Sequence, residues 1–311
     1  MQRSRNFALT IIPILAIFFL ATSSLGQDRT PVQAIDPLTG QPANQPPAEA
    51  VEQPPRADLA EANALVSESK YAEAERLLAG QQEEFPDDPA LLLMRGELLL
   101  ALGRTDEART VLEHGAAIDP KRQRVHFQLG TALASTGKRK EALAAFAKEL
   151  EVNQDEAVRT LAHLNRSLLF EQERNWSAAV EELEAVLEIQ PSRTEIYGDL
   201  VTLHIQSGQI TEAIKVMEQG AGAGFASSRH YYSLGARLYR DKRYEDAISM
   251  LTKAVELEPD LSQAERSLAA ALEKAGRTDE ALEHLRRYLE LNPEAPDAEA
   301  VAEKLKAAEN R

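Results

Sequence analysis

The chain of 311 residues contains no cysteine, which excludes disulfides, thiolate metal sites and cysteine nucleophiles. Aromatic residues are scarce at 5%, so any core must be built mainly from Ala and Leu, a helix-favouring composition. No run of five or more like charges occurs, and the net charge of -15 is spread along the sequence. Solvated helix faces account for such dispersed acidity. An acidic balance of this size lacks the basic face that nucleic-acid binders present. Catalytic signatures are missing as well: no HExxH, no phosphate-binding loop and no nucleophile elbow. The longest apolar stretch, FALTIIPILAIFFLA from Phe7 to Ala21, falls short of the roughly 20 residues of a spanning helix.

That stretch has its own meaning. Arg3 and Arg5 precede it and the small-residue segment TSSLG follows, the pattern of a secretory signal peptide over residues 1–26. Cleavage after Gly26 or after Ser23 satisfies the small-residue rule. No cysteine follows the apolar core, so a lipid anchor is excluded. An uncleaved membrane anchor is the rival, although Pro13 interrupts the segment. An exported chain without disulfides suits a bacterial envelope, periplasmic or secreted, better than a eukaryotic secretory route. From Gln27 to Arg56 there are seven prolines and no aromatic residue. Residues 27–54 are thus expected to be a disordered, Pro-rich linker. Two glycosylation sequons, at Asn165 and Asn175, are expected to be chance matches.

The hexapeptide GRTDEA occurs twice, at Gly103–Ala108 and at Gly276–Ala281. Its terminal alanine recurs at 74, 108, 142, 179, 213, 247 and 281, in steps of 34 except for one of 37. The copies therefore occupy one slot in the second and seventh of seven repeats, and three residues are inserted near Glu156–Arg159. Twelve positions before these alanines stand Ala62, Gly96, Gly130, Ser167, Val201, Gly235 and Ala269, small except for Val201. Four positions after stand Leu78, Leu112, Phe146, Leu183, Met217, Leu251 and Leu285. Twelve after, proline occurs in five repeats, with Gln154 and Phe225 in the other two.

A 34-residue period with these slots resembles the tetratricopeptide repeat family over residues 55–295. The resemblance implies an all-α right-handed superhelical solenoid of seven helix hairpins plus a C-terminal capping helix. The repeats are 55–88, 89–122, 123–156, 160–193, 194–227, 228–261 and 262–295, and residues 296–311 form the cap. Glycine at 103, 137, 208 and 276 marks the turn inside a hairpin. Acids such as Glu107 and Glu280 start the second helix, where its dipole favours negative charge. Proline ends that helix. In the cap, Val301, Leu305 and Ala308 should face the array. The fifth repeat departs from the pattern with GAGAGF, Gly220–Phe225, and its second helix is expected to stop near Gly220, leaving a hinge or a loop.

The histidines suggest no metal site. His126 and His163 share a slot that the family normally packs into its core, and His204 falls on a core slot too. His114, His230 and His284 have no evident partners, and Trp176 reads as packing. No cofactor or metal is expected, and the chain is expected not to be an enzyme. Function must then lie in a surface. The resemblance implies that first helices line a concave groove that holds a partner segment. Its fifth slots run Leu93, Phe127, Leu164, Gly198, Tyr232 and Arg266, from apolar to polar. The last two repeats add Arg229, Tyr239, Arg240 and Lys274, a basic and aromatic cluster of the types that carry hot spots. Leu93, Phe127, Leu164, Arg229, Tyr232, Tyr239, Arg240, Arg266 and Lys274 are therefore the candidate partner-binding residues. The competing expectation is that the arginines pair with acids such as Asp241 or Glu273 and the tyrosines pack between repeats. The clamp that some family members use for a C-terminal carboxylate does not carry over: Asn63 matches one position, but Leu59 and Met94 occupy others that should be polar. The leading expectation is an envelope scaffold for a protein or peptide partner; the alternative is an accessory subunit of a polysaccharide or peptidoglycan enzyme complex that contacts glycan.

Overall fold

The computed structural model describes residues 57–309. The signal-peptide, anchor and linker expectations lie outside them. Among the described residues there are fifteen α-helices and no strand, and no helix is long and apolar enough to cross a membrane. Consecutive helices pair as hairpins: α1 (Ala60–Ser67) with α2 (Tyr71–Glu84), α3 (Pro89–Ala101) with α4 (Thr105–Ile118), and α5 (Val125–Ser135) with α6 (Arg139–Val152). Then come α7 (Glu156–Gln172) and α8 (Trp176–Ile189), α9 (Glu195–Ser207) and α10 (Ile210–Gly222), and α11 (Ser228–Arg240) and α12 (Tyr244–Leu257). Finally α13 (Ser262–Lys274) pairs with α14 (Thr278–Leu291), and α15 (Ala298–Glu309) packs on α14. The chain forms two compact units that meet in sequence at Asn165 and Arg166.

The hairpin turn has one geometry in all seven copies. Its central residue is left-handed at Gly103, Gly137, Gly208 and Gly276, and equally at Ser69, Arg174 and Lys242. The following N–H reaches back to a carbonyl five residues earlier, as in Arg104 to Leu99 at 2.8 Å and Arg277 to Leu272 at 2.9 Å. This is the closing bond of a Schellman turn. The two GRTDEA copies match in their side chains too: Arg104 is bound bidentately by Glu107, and Arg277 by Glu280.

Inside each hairpin the repeated alanine has no exposed surface in any copy. The small residue twelve earlier explains the close approach. A Cβ added at Gly96 would lie 2.5 Å from Leu112, at Gly130 2.8 Å from Phe146, and at Gly235 2.6 Å from Leu251. Ser167 donates instead to the Ala179 carbonyl at 3.0 Å. A hairpin cannot bury its remaining apolar face alone, so neighbours within a unit stack. One cluster joins Leu92, Leu99, Leu112 and Val125; another joins Leu285 and Tyr288 to Val301 and Leu305 of α15, with Ala308 packed against it.

Two irregularities have local causes. The inserted residues lengthen α7 to 17 residues, against 11 to 13 in α3, α5, α9, α11 and α13. Its start is capped by Asp155, whose carboxylate accepts from the N–H groups of Ala157 and Val158. In the fifth repeat α10 runs on to Gly222, two residues beyond the expected stop at Gly220. The chain then turns at Gly224, φ +92°, and the Phe225 N–H closes onto the Gly220 carbonyl at 2.7 Å. Gly220 is a packing residue, because a Cβ there would meet Tyr197 at 2.9 Å. Gly198 is equally tight against His230 and Phe225. Phe225 stands where other repeats have proline, and its ring packs on His230 at 5.4 Å.

Candidate functional site

The candidate residues lie on first helices, and first helices of successive repeats touch within each unit: α3 with α5, and α9 with α11 and α11 with α13. In the unit that ends at Asn165 this face is closed by internal contacts. Leu93 and Phe127 are buried, Phe127 without any exposed surface and edge-on to Phe146 at 5.4 Å. Leu164 is half-buried. The apolar ladder read from the fifth slots is therefore corrected: Leu93 and Phe127 belong to the core, Leu93 in a cluster that reaches Val125 of the next hairpin and Phe127 against Phe146 of its own.

A polar network that the sequence reading missed occupies the same face. Glu97 of α3 accepts from Arg124, the N-cap residue of the next first helix, at 2.5 Å and from Gln128 on that helix at 3.0 Å. Burial pushes the Glu97 carboxyl up, against the opposing pull of Arg124. The signal was present as an acid in the ninth slot facing Arg and Gln in the second and sixth slots of the following repeat. Beneath it Glu149 has no exposed surface and accepts from the N–H groups of Arg124 and Phe127, capping α5.

In the unit that begins at Arg166 the face is different. Arg229, Tyr232, Tyr239 and Arg240 share one stripe of α11, because spacings of three, seven and eleven residues return to one side of a helix. Arg229 and Arg240 are exposed, as is Lys274 of α13. Asp241 is bound by Arg237 at 3.0 Å, and Glu273 by Lys304 of the cap. The acids expected to neutralise the cluster thus have other partners, and Arg229, Arg240 and Lys274 form no ion pair among the described residues. Arg266 is the exception. It binds Asp297 at 2.9 Å, and Tyr288 donates to the other oxygen of the same carboxylate at 2.7 Å. The Tyr288 hydroxyl and Arg266 together hold that carboxyl below the usual range. Arg266 is a clamp on the cap. Tyr239 packs on Tyr244 of its own hairpin at 5.8 Å, and Tyr232 is half-buried with one side open.

The histidines serve structure. His126 bonds the Pro120 carbonyl and His204 the Gln209 side chain, each at 2.8 Å. The three without expected partners have them: His114 meets Asp87, His230 meets Ser227 and His284 meets Glu265, at 2.9, 2.8 and 2.6 Å. Burial lowers the His230 pKa, helped by the charge of Arg229. Among the described residues no group of three or more His, Cys, Asp or Glu could hold a metal ion. Asn165 is buried and donates to the Leu161 carbonyl, so its sequon offers no acceptor at the surface.

A stack of short helical hairpins whose first helices present side chains defines a class of repeat proteins that recognise by surface. Tetratricopeptide repeat models match residues 65–126, 127–194, 171–238 and 238–305. The chain belongs to the tetratricopeptide repeat family, whose members generally act as non-catalytic scaffolds for protein interactions. None of the curated proteins matches it by sequence. Among solved structures, Naa15/Naa10 bound to HypK-THB is similar at 18% identity and a TM-score of 0.59, over 81% of this chain and 38% of that one. The C-terminal part of a TPR repeat-containing protein from Cytophaga hutchinsonii is similar at 18% identity, TM-score 0.45, over 76% and 80%. MamA is similar at 20% identity, TM-score 0.44, over 54% and 91%.

Proposed function

We propose that this protein is an exported, non-catalytic scaffold of a bacterial envelope that holds a segment of a partner protein on the first helices of its sixth and seventh repeats. The observation that carries the reading is the exposed Arg229, Arg240 and Lys274 beside Tyr232, with the nearby acids engaged elsewhere. Arg and Tyr are enriched among the few residues that dominate interface energies. Export rests on the N-terminal pattern of Arg3, Arg5 and the apolar stretch that follows. The glycan alternative has less support, because one of the two available rings, Tyr239, already packs against Tyr244 in a tilted arrangement.

The test is crosslinked co-purification from the native envelope with tagged full-length protein. A variant carrying Arg229→Glu, Tyr232→Ala and Arg240→Glu, checked for folding by circular dichroism, should lose the captured protein. Capture that survives in the folded variant would move the site away from these repeats.

A further inference from the structure

We infer that the segment held on the α11–α13 face is acidic and extended, with two carboxylates spaced to meet Arg229 and Arg240. The inference rests on the scaffold reading above and adds the chemistry and geometry of the ligand. It begins with charge. The chain carries -15 overall, so most of its surface repels an acidic segment. The α11–α13 face is an exception. Around it Asp246 binds Arg243, Asp241 binds Arg237 and Glu273 binds Lys304, so these acids are already compensated; Glu258, which accepts from the neutral hydroxyl of Ser228, keeps its charge. Arg229, Arg240 and Lys274 remain as cations turned to solvent. A carboxylate-bearing segment is steered to this patch and away from the rest of the molecule.

Spacing then selects the conformation. Eleven residues separate Arg229 from Arg240 along α11, about 16 Å at the α-helical rise. Extended chain covers that distance in about five residues, and because its side chains alternate between faces, carboxylates four or six residues apart point to the same side. Lys274 stands at the equivalent last-turn position of the neighbouring α13, which packs directly on α11. It offers a third cation to a segment that crosses toward the cap. Tyr232 lies one turn from Arg229, between the two arginines, where an apolar or aromatic residue of the segment would rest. Arg266 cannot contribute without releasing Asp297.

The test uses a fluorescein-labelled octapeptide with glutamates four residues apart and a phenylalanine midway between them, so that all three side chains share one face of the extended chain, read by anisotropy at low salt. Its controls are the glutamine version and a permutation with adjacent glutamates. The folded Arg229→Glu, Arg240→Glu, Lys274→Glu variant should bind about tenfold more weakly or worse, and raised salt should weaken wild-type binding. A matched variant with Lys121→Glu, Lys138→Glu and Lys140→Glu changes net charge equally on exposed residues elsewhere and should bind nearly as wild type. Equal loss in both variants, or equal binding of the glutamine or permuted peptide, would overturn the inference. Heparin fragments that bind this face more tightly than the peptide would overturn it in favour of an anionic glycan. If the peptide fails while envelope capture still depends on Arg229, Tyr232 and Arg240, the acidic-segment inference falls and the scaffold reading stands. If both fail, both fall.

Discussion

The first-helix face of the unit ending at Asn165 and that of the unit beginning at Arg166 are built on the same slots and reach opposite outcomes. In the former, α3 and α5 close on each other: Phe127 is sealed beneath the surface and Glu97 ties Arg124 and Gln128 together. In the latter, α11 and α13 leave Arg229, Arg240 and Lys274 facing water while Asp241 and Glu273 bind other cations. The repeat therefore specifies only where a side chain emerges. Whether it is available to a partner depends on what the adjacent repeat presents across the seam.

The largest effect should come from testing the closed side. Phe127→Ala removes a ring with no exposed surface and should cost about 3–5 kcal/mol of stability in denaturant titration. A cost under about 1 kcal/mol would mean that the ring is available at the surface after all. Next, Gly220→Ala forces a Cβ against Tyr197 at 2.9 Å and should destabilise by about 1–3 kcal/mol. A neutral result would restore the hinge expected from the GAGAGF segment. Smaller still, Lys242→Gly relieves a left-handed residue with φ 62° and should stabilise by about 0.5–1 kcal/mol, while Gly103→Ala at the equivalent turn should destabilise.

The smallest effect is electrostatic and concerns His230. Its pKa is lowered by burial, so the folded state prefers the neutral ring. The corresponding stability is complete above the ordinary histidine value of about 6.5 and is lost as pH falls below it toward the folded value. The protection factors of amides around Gly198 and Gly220, which are exchange rates corrected for their intrinsic pH dependence, should fall between pH 7.5 and pH 5, and His230→Gln should flatten that change. An identical pH profile in the variant would assign the effect to other groups.

Much of this architecture is legible in the sequence, because the rules that set it are local and repeated. The alanine slot, the small residue twelve earlier and the turn glycines give helix, phase and close approach without any coordinates. The turn is in fact stricter than its glycines suggest, since Ser69, Arg174 and Lys242 adopt the same left-handed conformation. Side-chain contacts between helices were not legible. The partners of His114 and His284 lie 27 and 19 residues away, and Asp297, which removes Arg266 from the open face, follows the seventh repeat. Leu93 and Phe127 were misplaced for a related reason. Their slot borders both the face and the packed interior, and only the packing of neighbouring helices decides between them.

The most direct test of the central contrast places a photoactivatable residue at Ser233 on α11 or at Ser135 on α5, both exposed and both on first helices. After irradiation of the native envelope, Ser233 should yield a discrete protein adduct that Arg229→Glu with Arg240→Glu abolishes, and Ser135 should yield none. Adducts from Ser135, or an adduct at Ser233 that survives the charge reversals, would contradict the assignment of recognition to the open face.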